Sequence, residues 1–222
     1  MNVFGKATLI SSAAFLAACS TASTPTPITT PGIGAANVAG TTYSVTTDGV
    51  TDTIIGPATR HGNFISWAGA GGSNTMGGGY ETADVLAIGA MYKAAPHGTF
   101  AGITGTLSPV QTSGTASYDT QFSAVIVEPS GGSTVTNDYN SIATIDVDFG
   151  AGTLSGTHVP WQFEINGTIT GSQFSGTAAF KGNVNATQTT VPMQGGFYGT
   201  DTIAGVFAGD GLAGAFGGTL NP

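Results

Sequence analysis

The chain has 222 residues, room for one compact domain or a domain with a small subdomain. Only 7% of the residues are charged, 36 are glycine, and the formal net charge is −8. The four cations, Lys6, Arg60, Lys93 and Lys181, are scattered; nucleic acid and anionic membrane surfaces, which need clustered cations to replace counterions, are excluded as partners.

Low charge with much glycine is a composition of disorder, but 9% aromatic residues and repeated apolar alternation argue for packed β structure. At the N-terminus Lys6 precedes an apolar run from Ala7 to Ala18. The run falls short of the roughly 20 residues that span a bilayer, and has the form of a secretory signal peptide. It ends in Leu16-Ala17-Ala18-Cys19, which resembles the bacterial lipobox: small side chains for the peptidase subsites, then a thiol that takes a diacylglycerol. Residues 1–18 are expected to be a lipoprotein signal peptide and Cys19 the lipidation site, the membrane partner being the anchor itself. Each buried CH₂ contributes about 0.8 kcal/mol, so two or three acyl chains hold firmly. Cys19 is the one cysteine in the sequence, with no disulfide partner. Ser20, a non-acidic residue, suits transfer to the outer membrane by resemblance to Gram-negative lipoproteins. Residues 19–39, with Pro25, Pro27 and Pro31 among Ser and Thr, read as a flexible tether.

Residues 40–80 carry short strand signals at Thr41–Val45, Thr53–Ile55 and Asn63–Trp67, a turn at Asp48-Gly49, and a glycine-rich stretch, Gly69–Gly79. These predict a small irregular β handle. From residue 81 the signals become regular. Asp84–Lys93 has the length of a barrel strand, with Val85, Ala87, Gly89 and Met91 on one face, and Gly114–Val127 follows. Ile145, Val147 and Phe149 alternate with Asp146 and Asp148, and Phe163 and Ile165 with Glu164 and Asn166, which requires one buried and one wet face. Asn166-Gly167 reads as a bulge or turn. Gln173–Lys181 leads to Gly195–Gly218, read as three strands around turns at Asp201 and Asp210-Gly211. Turn signals every 8–12 residues indicate an all-β sandwich or barrel.

The ordered set Asp146–Gly156, Phe163–Gly167, Phe174–Ala178, Gly195–Gly199 (GGFYG), Ala204–Phe207 and Gly214–Gly217, with Gly114–Tyr118 before it, resembles the barrel domain of transferrin-binding protein B-like lipoproteins. The resemblance implies an eight-stranded antiparallel β-barrel over residues 81–222, on a surface lipoprotein of a Gram-negative outer membrane. It implies a host protein or a haem or iron carrier as partner, bound by barrel loops, with no ligand residue transferable. Two departures stand out: a single barrel where the transferrin receptors have two lobes, and Ile203-Ala204-Gly205 where the family often has an acidic residue. The alternative reading is a structural envelope lipoprotein with no diffusible ligand.

No catalytic constellation is evident. His61, His97 and His158 are the candidate imidazoles; His97 and His158 sit beside turns, where solvated loop histidines are expected, and no G-x-S-x-G elbow accompanies them. No close pair of ligands suggests a metal, and Asp146 and Asp148 are expected on a solvated face rather than in a calcium loop. No cofactor is expected, although haem on one or two loop histidines stays open. Trp67, Tyr80, Trp161 and Tyr198 are candidates for a binding surface, with Trp161 better placed in the core.

Overall fold

The structure, a computed structural model, describes residues 32–54, 58–68, 75–92, 98–127, 133–159, 162–181 and 188–222. The expected signal peptide, Cys19, the tether up to residue 31, Lys93, His97 and Trp161 lie outside these residues. Eight strands come first: β1 (Ile33–Ala39), β2 (Thr42–Thr47), β3 (Val50–Ile54), β4 (Thr59–His61), β5 (Phe64–Ala68), β6 (Thr75–Glu81), β7 (Val85–Tyr92) and β8 (Thr99–Gly105). They form a sheet in the order β3-β2-β1-β8-β7-β6-β5-β4. The other eight are β9 (Thr115–Val127), β10 (Ser133–Asp148), β11 (Thr153–His158), β12 (Phe163–Thr170), β13 (Gln173–Phe180), β14 (Thr189–Tyr198), β15 (Thr202–Gly209) and β16 (Leu212–Leu220). They close an antiparallel barrel, β16 pairing with β9.

The all-β architecture is the one that the alternation and turn spacing predict, and the eight-stranded barrel is the one that the family resemblance implies, but the β unit before it is larger and more regular than the sequence suggests. Strand β7 pairs with β6 and β8 in the sheet rather than in the barrel, which begins at Thr115. Ile33–Ala39, within the expected tether, is strand β1. Its apolar signal is weak because Ile33 and Ala36 alone are buried there; pairing with β2 and, in parallel, with β8 holds it. Asn166-Gly167 lies inside β12, and the chain reverses instead at Gly171-Ser172, where Gly171 has φ 61°. Asp48-Gly49 and Asp210-Gly211 each place two successive residues in the left-handed region, with φ of 51° and 81°, and of 40° and 78°. That is the type I′ hairpin geometry, whose twist matches the flanking strands.

The barrel lumen is a column of rings. Phe149 packs on Phe197 at 5.6 Å between centroids, Phe197 on Phe174 at 5.8 Å and Phe174 on Phe216 at 6.2 Å. The column continues through Phe163 to Phe122 at 4.5 Å and ends on Phe180 and His158. Centroid spacings of about 4.5–7 Å are those of attractive aromatic pairs. Glycines make room for the rings. Phe174 lies opposite Gly195, Phe216 opposite Gly205 and Phe207 opposite Gly214 in the strand register. A Cβ on any of these glycines would fall 2.2–2.4 Å from a carbon of the facing ring.

A second core joins sheet to barrel. Tyr80, Val85, Ala87, Met91 and Ala101 face Ala204, Val206, Ala208, Ala213 and Ala215. On the barrel side the seam is mostly alanine, which lets the backbones approach closely where glycines meet. At the tightest point a Cβ on Gly89 would lie 2.2 Å from the carbonyl carbon of Gly214. Strands β7, β15 and β16 are in consequence buried on both faces over most of their length. The far face of the sheet covers a third cluster, including Tyr43, Val45, Ile65, Trp67, Ile88 and Phe100.

Gly89→Ala should overpack backbone that cannot yield and cost about 2 kcal/mol, read as a lower urea midpoint. Gly98→Ala, whose Cβ would meet nothing nearer than a Tyr92 ring carbon at 3.7 Å, should leave the midpoint within about 0.5 kcal/mol of the parent.

Candidate functional site

Inside and outside of the barrel divide the possible sites. Ile145, Val147, Leu154, Phe163 and Ile165 point inward and are buried, whereas Asp146, Asp148, Ser155, Glu164 and Asn166 point outward and are exposed. A membrane-spanning barrel has the opposite polarity, apolar outside and polar within. Along β10–β12 this barrel therefore presents its outer wall to water, and the described part of its lumen is packed by the aromatic column. No helix among them is long and apolar enough to cross a membrane.

The residues singled out from sequence do not converge. His61 is exposed on β4. His158, expected in a solvated loop, ends β11 and is 4% exposed, edge-on to Phe122 at 5.3 Å. The neighbouring turn residues suggested solvent, but the outward-inward alternation of β11 carries the imidazole into the core. Asp148 accepts the Ala151 N–H at 2.8 Å to hold its turn, and Asp146 accepts the Ser117 hydroxyl. Trp67, Tyr80 and Tyr198, candidates for a binding surface, are core residues instead. Tyr198 is packed at the edge of the seam beside Gly105, and burial pushes its phenol well above the usual tyrosine range. Among the described residues no three His, Cys, Asp or Glu side chains gather as metal ligands would.

Two polar clasps, with no local sequence signal, tie the β2–β3 hairpin to both ends of the β6–β7 hairpin. In the first, Arg60 Nη2 donates to Tyr43 Oη and to Glu81 Oε2, both at 2.7 Å, and Tyr43 donates to Glu81 at 2.9 Å. Burial first, then the Glu81 hydrogen bond, raises the Tyr43 phenol, and the same carboxylate raises the Arg60 guanidinium. The Arg60 side chain is 54% exposed, so the ion pair itself adds little; the shared hydrogen bonds fix the geometry. In the second clasp Tyr92 donates to Asp52 Oδ1 at 2.7 Å, its ring packed 5.3 Å from Phe100. Partners separated by 17–40 residues leave no local pattern to read.

Strand directions sort the connections. Gly78 abuts Ser123 and Gly217 abuts Tyr80, so β6 runs alongside β16 in the same sense. The ends of β5, β7, β9, β11 and β13 therefore lie toward one end of the molecule, and β1 starts there. The opposite end has the tight turns at residues 149–152, 171–172 and 199–201. It is also crossed by the chain between β8 and β9, where Leu107 bridges to Tyr198 and Val110 packs on the barrel core. A partner approaching the first end meets barrel and sheet together.

Residues 110–219 match the family described as C-lobe and N-lobe beta barrels of Tf-binding protein B. Among solved structures, the chain is similar to a mutant of transferrin binding protein B from Haemophilus parasuis Hp5. The TM-score is 0.53 at 18% identity, over 81% of this chain and 40% of that one. It is also similar to the isotype 1 transferrin binding protein B of serogroup B Neisseria meningitidis, with TM-score 0.54 at 20% identity, over 81% and 39% of the two chains. The chain thus spans about 40% of the length of these proteins. HpuA from Kingella denitrificans, solved in complex with human haemoglobin, is similar with a TM-score of 0.44 at 15% identity, over 85% and 90% of the two chains, too distant to carry an argument. No curated protein matches the chain in sequence.

Burial, and after it the bond to Asp52, pushes the Tyr92 phenol up from 10.0 to about 12. A folded-state value above the unfolded one means that this stabilisation is complete below pH 10 and is lost as pH rises toward 12. Denaturation midpoints measured across that interval should fall, and Tyr92→Phe should make the fall shallower. An unchanged slope in the variant would contradict the assignment.

Proposed function

We propose that this chain, whose barrel is a barrel of the transferrin-binding protein B family, is a lipid-anchored, non-catalytic receptor of the Gram-negative outer membrane that grips a host protein from outside its barrel. The observation that carries this reading is the aromatic column. Among the described residues the lumen is packed by rings rather than lined by polar groups, which favours binding on the outer surface of the barrel.

The relatives named for transferrin binding make an iron-carrying host protein the first class to try, although this chain spans 40% of their length. The non-catalytic reading is supported by where the reactive side chains are used: His158 in the core, Asp148 in a turn, Asp52 and Glu81 in clasps. The lipid anchor rests on the Leu16–Cys19 lipobox.

Two measurements test the proposal. Processing of the full chain should be blocked by globomycin, and Cys19→Ser should move it from the membrane to the soluble fraction; an unmodified Cys19 in soluble wild-type protein contradicts the anchor. The detergent-solubilised chain, immobilised and exposed to iron-loaded transferrin, apo-transferrin, haemoglobin and free haem, should bind one of the proteins saturably and free haem not at all. Saturable uptake of free haem, or no binding to any of the proteins, contradicts the receptor reading.

A further inference from the structure

The outer wall of the barrel carries a shallow trough of about 470 Å³ that crosses β11, β12 and β13. Its floor follows one line of the strand register, Leu154 opposite Gly167 and Gly167 opposite Gly176. This line faces inward: Leu154 turns its side chain into the core, and a Cβ on Gly167 would point the same way, toward Met193 and Leu154, so the outward side of the line is backbone. The next register lines form the walls, Ser155, Asn166 and Thr177 on one side and Thr153, Thr168 and Ser175 on the other. All six are short and uncharged, and neighbouring members of a wall stand on strands about 4.7–4.9 Å apart. Both walls continue onto β10 as carboxylates, Asp146 opposite Ser155 and Asp148 opposite Thr153. At the rim Asn166 Nδ2 donates to Glu164 Oε1 at 2.9 Å.

We propose that this trough binds a neutral saccharide chain. Hydroxyl and amide groups act as donors and acceptors at once, and two parallel rows of them suit a ligand with hydrogen-bonding groups along both edges. The backbone floor accepts the ligand's C–H surface. Apolar ligands are disfavoured because both walls are polar. A peptide strand adds to an open sheet edge, and β11–β13 are interior to a closed barrel with no edge to offer. The carboxylates at one end repel an anionic polysaccharide. No aromatic ring lines the trough, so affinity rests on hydrogen bonds. The site lies on the side wall of the barrel and stands independently of the host-protein reading above.

The test is a titration of the ¹⁵N-labelled full chain in detergent with chitotetraose, cellotetraose and maltotetraose, with tetragalacturonate as the anionic comparison. At least one neutral or acetamido saccharide should give saturable amide shifts confined to β11–β13, with tetragalacturonate at least about tenfold weaker. Asn166→Ala and Thr168→Val should each weaken binding by about tenfold, while Thr170→Val, exposed beyond the trough, should leave it unchanged. All three positions are exposed, and an otherwise superimposable amide spectrum verifies the fold of each variant. Absence of saturable shifts with all three uncharged saccharides, shifts centred elsewhere, equal binding of tetragalacturonate, or affinity untouched by both trough variants would each overturn the proposal.

Discussion

The sheet seats on the barrel because Gly89 faces the backbone of Gly214, a contact that no side chain can enter. Around it an alanine-rich surface of the barrel meets an equally small-featured face of the sheet. Glycine in a strand costs roughly 0.5–1 kcal/mol relative to alanine in lost chain entropy, and here the cost is offset by dense contact between layers. The seam also decides the character of β15 and β16, which must be apolar on both faces, one toward the lumen and one toward the sheet. Closing the barrel leaves it no strand edges of its own, so a domain with so few charges has little edge to protect.

The lumen follows the same economy of space. Each of three phenylalanines lies across the strand from a glycine, and the rings join into a continuous column. A barrel packed in this way is a rigid support rather than a container. Its outer wall along β11–β13 carries short hydroxylated side chains in place of the charges common on other proteins. The same support holds the clasped sheet against it, so a partner can be presented with two units in fixed relation.

Legibility followed the number of wet faces. Where a strand is wet on one side, as at Ile145–Phe149, the alternation of apolar and acidic residues shows both the strand and its inward face. Where both faces are buried, as in β7, the pattern becomes continuous and no longer says which sheet the strand joins. Gly77–Gly79 looked like loose chain, yet they lie in β6 because the sheet needs closely approachable backbone there. Tyr80 and Tyr198 looked like binding aromatics because they border glycine-rich segments, but Tyr80 packs onto Gly217 and Tyr198 onto Gly105, glycines distant in sequence. The clasps were invisible for a different reason, since they join side chains that only the curl of the sheet brings together.

Strand β1 has a mechanical consequence. It holds five register pairs with β2 and two, running in parallel, with β8. If the chain is held from its N-terminal side, as proposed above, tension reaches the described residues first at β1. From there it divides between the β2 hairpin with its polar clasps and the β8 strand that leans on the barrel. The sheet is thus the series element of the load path, and the ring-filled barrel is shielded behind it. Detachment under force would begin by peeling an N-terminal strand, ahead of any change in the barrel.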